Sequence, residues 1–497
     1  MTDNNMERAT TLDVMLDALH GNYTLVCGPA AKAVHGITAN SREVVAGGIF
    51  VAVRGVAVDG HGFIAKALAA GATTVVCEEI PADAEASGAT FITVPDSREA
   101  LGRLASRFYG DPSDELTLIG VTGTNGKTTI ATLLYEVARL RGHKAGLIST
   151  VAINIDGDSH PAEHTTPDPV QLNMLLRRMV DAGCTFAAME VSSHACDQHR
   201  IAGLSFAGGI FTNLTRDHLD YHKTFDAYLK AKKSFFDGLP STAFALSNAD
   251  DRNGKVMLQN TAARKYFYSV GGLADFNVKV IEDRLDGMLL EIDGREVETM
   301  FVGRFNASNL AAVYGACILL GIPADEAAVV LSSLRPVAGR FQPFRSDDGV
   351  TAIVDYAHTP DALINVLDTI AEVAGTDARI ITVCGCGGNR DKGKRPQMAL
   401  AAADRSDTLI ITSDNPRNES PEAIIDDMLA GLDDDRRSRT EVVADRRRAI
   451  QRAVEIAMPG DIILIAGKGH ETEQIIGDTV HHFDDRQEIQ QAFRQRK

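Results

Sequence analysis

The stretch Leu116-Thr117-Leu118-Ile119-Gly120-Val121-Thr122-Gly123-Thr124-Asn125-Gly126-Lys127-Thr128-Thr129-Ile130 decides how this chain is read. An apolar run over 116–121 predicts a strand and the pattern over 130–141 predicts a helix, with a glycine-rich turn between them. Glycines at 120, 123 and 126 let backbone N–H groups curl around phosphate oxygens. Lys127 adds a point charge, the helix N-terminus adds its dipole, and the Thr128 hydroxyl can be placed on Mg²⁺. The strict G-x-x-x-x-G-K-[ST] pattern needs glycine at 121, where this chain has Val121, so the match is to a variant loop. A glycine-rich turn with an incidental lysine is the plainer alternative. It leaves the strand before and the helix after without a reason.

Outward from this loop, β-branched runs alternate with helical patterns almost throughout, which predicts α/β architecture with parallel sheets. The 497 residues allow about three domains. Turn-forming residues at 111–114 and 335–340 divide the chain into 1–112, 113–335 and 336–497. In the first part, 49–53 and 73–77 read as strands and 63–70 as a helix; in the third, 350–355, 379–384, 408–412 and 461–466 read as strands. The formal charge of −17 argues against nucleic-acid binding or an anionic membrane surface, and 44% hydrophobic residues describe an ordinary globular protein. The absence of an apolar run of membrane length, of a leader pattern and of a C-x-x-C pair among seven cysteines predicts a cytoplasmic protein with reduced thiols. Cys384 and Cys386 read as packing, and the charged run 433–439 as a solvated helix end.

A second apolar strand, 185–189, ends in Glu190, where a nucleotide-bound Mg²⁺ finds a carboxylate beside the phosphate loop. A third, 209–214, leads to Arg216-Asp217-His218-Leu219-Asp220-Tyr221-His222, which reads either as a helix start or as metal ligands. Histidine is an unusual Mg²⁺ ligand, so His218 implies an ion tuned by its surroundings or partly replaced by a softer metal.

Taken together these residues resemble the Mur ligase family, the ATP-dependent enzymes that build the peptide of peptidoglycan. The resemblance runs from about 41 to 473 through ordered motifs: Gly-Thr-Asn-Gly-Lys-Thr at 123–128, His-Thr-Thr-Pro at 164–167, Glu-Val-Ser-Ser-His at 190–194, Asp-His-Leu-Asp-Tyr-His at 217–222, Ala-Lys-Lys at 231–233 and Asp-Tyr-Ala-His-Thr-Pro at 355–360. The segments 387–396 and 414–417 look like those of members that add meso-2,6-diaminopimelate to UDP-N-acetylmuramoyl-L-alanyl-D-glutamate. The fold this implies is a UDP-binding α/β domain, a central P-loop-type parallel-sheet ATPase domain and a C-terminal Rossmann-like domain, in a monomer.

The implied reaction activates a carboxylate with ATP as an acyl phosphate, which an amine then attacks. No protein nucleophile is needed, in keeping with the lack of any convincing Ser–His–Asp or Cys–His set. By resemblance, Gly123, Thr124, Asn125, Gly126, Lys127, Thr128, Thr129, Asn306, Arg340 and His358 serve ATP. Metal ligands are Thr128, Glu190, His218 and Lys232, the last as a carbamate; read from its own surroundings, Lys232 is an ordinary helix lysine. Ser41 and Arg42 meet the uridine diphosphate, with Asn40 where aspartate is expected. His164, Thr165, Thr166, Ser192, Gln198 and Arg200 meet the muramoyl dipeptide, His164 standing where asparagine is common.

Diaminopimelate is zwitterionic at both ends. Arg390 and Arg417 each offer a planar fork to a carboxylate. Asp414, Asn415 and Glu471 accept from the far ammonium, Pro416 stiffens the loop, and Gly467 lets the backbone approach. Lysine lacks the second carboxylate and would leave a buried arginine unpaired. Two other functions fit parts of the pattern: a folylpolyglutamate synthetase-like ligase, which the first domain and residues 414–417 oppose, and a nucleotide-gated binding protein, which the joint presence of Lys127, Glu190, His218 and Lys232 opposes.

Overall fold

The structure is a computed structural model that describes residues 10–496 apart from 56, 57, 83, 163, 216, 376 and 377. Its β-branched runs form three main sheets. The first orders its strands 24–27, 90–93, 74–77, 49–51, 37–38. The middle sheet has 11 strands, parallel from Ala145–Ile148 across to Phe276–Arg284 and antiparallel at both edges. The third has 6, ordered 342–345, 351–355, 462–466, 380–384, 408–411, 440–442, parallel except for the first.

The middle strands are apolar on both faces because both are covered. Ile119, Val121, Ile210 and Leu246 pack under the helices Lys127–Leu140 and Arg304–Leu319, while Leu118, Ala187, Met189 and Phe211 pack under Pro169–Asp181 and Phe225–Asp237. The third sheet is covered in the same way. Phe341, just past the linker, belongs to the third core and meets Phe305 of the middle part with ring centroids 5.5 Å apart.

Most strand limits lie within a residue of expectation, but the runs to 53 and to 214 are strands only as far as Val51 and Phe211, and one helix start differs in a way that matters. The helix expected over 130–141 begins at Lys127, because Gly126 takes φ +86° and closes the turn one residue earlier. The free N–H groups of the first turn therefore belong to Lys127, Thr128 and Thr129 themselves. Cys384 and Cys386 are buried free thiols, and 434–438 is a short solvated helix. Among the described residues no helix is long and apolar enough to cross a membrane.

Candidate active site

The strand Thr117–Thr122 lies between Phe186–Glu190 and Gly208–Phe211, so the phosphate loop, Glu190 and Thr212 emerge together at one sheet edge. Gly123 has φ +150°, and a Cβ there would fall 1.8 Å from Thr212 Oγ1, so only glycine fits this turn. Thr212 Oγ1 donates to Asn125 O at 2.6 Å, and Asn125 N donates to Asn213 Oδ1 at 2.9 Å. Asn309 Oδ1 presses on Gly126, where a Cβ would sit 2.6 Å from it.

Two amines converge on one carbonyl. Lys127 Nζ donates to Gly123 O at 3.0 Å and Thr124 O at 2.8 Å, and Lys232 Nζ donates to Gly123 O at 2.7 Å. Lys232 is almost fully buried and lies 4.9 Å from the Tyr228 ring centroid. Burial, and then the neighbouring Lys127, hold its amine well below the ordinary lysine range. Burial also lowers Lys127.

Glu190 gathers the other side. Its Oε1 accepts from Thr128 Oγ1 at 2.8 Å and Thr150 N at 2.7 Å, and its Oε2 accepts from Thr150 Oγ1 at 3.2 Å. A buried carboxylate paired with a threonine hydroxyl at the phosphate loop is a donor set that fits a hard cation retaining several waters. His218 takes φ +53°, and its ring stands 5.0 Å from that of His194 and 6.1 Å from that of Tyr228. Among the described residues no three His, Cys, Asp or Glu side chains are grouped to hold a metal by themselves. Arg216 and the side chains of Leu219 and Asp220 lie outside the described residues.

The residues expected to meet the muramoyl dipeptide form one network behind Glu190. Thr166 Oγ1 donates to Glu190 O at 2.8 Å and to Ser192 Oγ at 3.3 Å. Arg200 Nη1 donates to Thr166 O at 2.7 Å, and Arg200 Nη2 to Gln198 Oε1 at 2.8 Å. Thr165 Oγ1 accepts from Thr150 at 3.1 Å, while His164 stands exposed. In the first sheet's loops, Asn40 Oδ1 accepts from Arg42 N at 3.1 Å, the same service an aspartate oxygen would give, with Ser41 buried between them. Asn40 in place of aspartate therefore leaves the turn intact.

On the third-domain side, Arg340 reaches across to donate to Thr128 Oγ1 at 3.2 Å, its guanidinium 4.4 Å from the Tyr356 ring centroid. Asp355 fixes this approach, accepting from Phe341 N and Ala357 N at 2.7 Å each. His358 meets Tyr356 with ring centroids 4.6 Å apart and the rings tilted by 59°. Asn306 is placed differently: it is buried, donates to Val302 O at 2.9 Å, accepts from Asn309 at 3.2 Å, and meets the phosphate loop only through Asn309.

Two loops of the third sheet are zipped together. Gly388 N donates to Asn415 O at 2.9 Å, and Arg417 Nη1 donates to Gly388 O at 3.0 Å. Arg390 is exposed on the rim of the same turn. Asn389 and Arg417 both take left-handed backbone, φ +55° and +51°, a conformation that asparagine adopts more readily than arginine. Buried Arg395 donates to Glu419 at 2.9 and 3.0 Å and to Asp427 at 2.8 Å, clamping both loops from below. Asp414, Asn415 and Pro416 are buried; Asn415 Nδ2 donates to Glu471 Oε2 at 2.9 Å. A Cβ on Gly467 would lie 2.8 Å from Asp414 Oδ2.

Sequence reasoning missed Asn309, Thr150, Asp355, Tyr356, Arg395 and Lys468. Of these, Asp355 and Tyr356 lie in the Asp-Tyr-Ala-His-Thr-Pro motif at 355–360 and Arg395 in the segment 387–396.

Comparison with known proteins places this geometry. Family models match in three stretches: "Mur ligase family, catalytic domain" over 33–109, "Mur ligase middle domain" over 121–317 and "Mur ligase, glutamate ligase domain" over 339–469. The UDP-N-acetylmuramoyl-L-alanyl-D-glutamate--2,6-diaminopimelate ligase of Phocaeicola vulgatus is 58% identical over 94% of this chain and 96% of its own. The protein of the same name from Parabacteroides distasonis is 60% identical over 92% and 94%. A solved structure of a ligase with that name superposes with a TM-score of 0.71 at 34% identity, covering 98% of this chain and 99% of that one.

Proposed function

The chain belongs to the Mur ligase family, and on that premise we propose that it joins meso-2,6-diaminopimelate to UDP-N-acetylmuramoyl-L-alanyl-D-glutamate, with ATP converted to ADP and phosphate, in peptidoglycan precursor synthesis. The observation that carries the reading is identity of 58% along nearly the whole chain to a ligase of that name. The zipped pair of loops bearing Arg390 and Arg417 supports it, because it gathers groups able to read a zwitterionic terminus.

Residues 1–112 hold the nucleotide sugar, 113–335 ATP and 336–497 the amino acid, in a cytoplasmic monomer. At the phosphate loop, Lys127 gives up its two carbonyl partners and turns to the phosphates, where its charge offsets that of the moving phosphoryl group. Arg340, already at Thr128, brings a second cation from the third domain when the substrate carboxylate attacks. Thr166, Ser192, Gln198 and Arg200 hold the dipeptide so that its terminal carboxylate faces the γ-phosphate. Thr128, Glu190, His218 and a carbamate on Lys232 would hold Mg²⁺, which offsets phosphate charge when bound. The lowered pKa of Lys232 favours the neutral amine that carbamate formation needs. His358 takes the nucleoside side of ATP, while Asn306 acts through Asn309 and Arg340 stays at Thr128. Arg417 and Arg390 take the far carboxylate of diaminopimelate, leaving its near amine to attack the acyl phosphate.

The test is phosphate release with the nucleotide dipeptide, ATP and one amino acid at a time. Diaminopimelate is expected to support turnover far better than L-lysine or L-glutamate. Equal rates with the three would contradict the reading.

A further inference from the structure

Lys468 has no part in the chemistry above, yet its side chain is completely buried. Its ammonium sits among groups assigned to substrate. Nζ donates to Glu473 O at 2.7 Å and Asn415 Oδ1 at 3.1 Å, and lies 3.4 Å from Asp414 Oδ1 and 3.5 Å from Glu471 Oε2. Asn415 Oδ1 also accepts from Ile475 N at 3.0 Å, so this oxygen is already filled. Glycines on either side, with φ +116° and +54°, let the backbone fold beneath the loop that carries Asp414. A buried ammonium is kept only where it is paired, and this one is paired with both carboxylates of the amino-acid site.

The charges then decide what the pocket accepts. Asp414 and Glu471 supply two negative charges and Lys468 cancels one of them from inside the protein. A ligand bringing only an ammonium gains half of what two bare carboxylates would give it, and it leaves Arg417 without a counter-charge. A zwitterionic terminus satisfies both halves. We propose that Lys468 is a specificity-determining positioning residue, an internal ammonium that takes up part of the acidic charge of Asp414 and Glu471 so that the pocket prefers a zwitterionic terminus to a bare ammonium. The proposal rests on the diaminopimelate reading given above.

The experiment compares kcat/KM for meso-diaminopimelate, L-lysine and 2-aminopimelate, which keeps the far carboxylate but lacks the far amine. In the wild-type enzyme 2-aminopimelate retains more activity than lysine, because Lys468 remains as a counter-charge for the acids. Lys468→Met lowers the diaminopimelate-to-lysine ratio by roughly tenfold or more and puts 2-aminopimelate below lysine. In that variant KM for ATP changes less than about twofold, since Lys468 touches none of the phosphate-loop groups. Lys468→Arg, which keeps the charge, keeps the wild-type order. A wild-type enzyme that prefers lysine to 2-aminopimelate overturns the proposal, as does a Lys468→Met enzyme with an unchanged ratio; if that variant does not fold, the wild-type order decides alone. An enzyme that uses none of the three overturns this proposal and the parent reading together.

Discussion

The phosphate loop and the amino-acid loops both form at carboxyl ends of parallel strands, but they are held by opposite means. At the phosphate loop the groups proposed to bind are largely backbone N–H groups and Lys127, positioned by a turn that tolerates no side chain at Gly123. In the third domain the groups are charged side chains from segments 387–390, 414–419 and 467–474, held in place by the buried cations Arg395 and Lys468. On the proposed reading, backbone geometry serves the phosphate chain of ATP. On the same reading, side-chain charge serves the choice among amino acids, and it depends on the buried cations Arg395 and Lys468, which do not themselves touch the ligand.

If that contrast is right, damage on the two sides has different signatures. The largest effect is expected from Lys127→Ala, which should lower ADP release by roughly 1,000-fold by removing the charge that offsets the moving phosphoryl group, with folding intact by circular dichroism. A residual rate within tenfold of wild type would remove Lys127 from the chemistry. Next comes Lys232→Ala, expected to lose about 100-fold or more and to recover part of that with formate or acetate, while Lys230→Ala and Lys233→Ala stay mild. Mass spectrometry of the intact site should find a carbamate on Lys232 in active enzyme. An unmodified lysine there would sink the idea.

On the other side, Arg417→Ala should raise KM for diaminopimelate about 30-fold through loss of a charged hydrogen bond, with ATP affinity measured separately unchanged. Equal loss of ATP affinity would erase the distinction between the two sites. The smallest effect concerns stability. Arg395, and then the Asn389 N–H, hold the Glu419 carboxyl down at about 2. A carboxyl with a depressed folded-state pKa contributes stability above the ordinary value of about 4.5 and loses it as pH falls toward about 2. Melting temperature should therefore fall more steeply between about pH 5 and pH 3 in wild type than in Glu419→Gln. Parallel curves would show that the clamp does not hold the loops.

The same contrast explains what could be read from the residues alone. The alternation of strands and helices, the phosphate loop and Glu190 could be read from local spacing, whereas Thr166, Ser192, Gln198 and Arg200 came only with the family resemblance. Arg395 lies in the segment 387–396 and Lys468 next to Gly467, but in a sequence a lysine or arginine looks the same whether it faces solvent or a buried carboxylate. Asn309 was invisible because its relation to Gly126 spans the whole middle sheet. Asn306 was nominated by the resemblance alone, and no local pattern reveals that its amide is spent on Val302 O and Asn309.

The most direct measurement labels the terminal carboxylate of the nucleotide dipeptide with ¹⁸O and follows both products by mass spectrometry in the presence of ATP and meso-diaminopimelate. Activation as an acyl phosphate, with no protein nucleophile, predicts the tripeptide nucleotide together with phosphate carrying one ¹⁸O. Tripeptide formed with unlabelled phosphate would contradict the acyl phosphate, and no tripeptide at all would contradict the ligase itself.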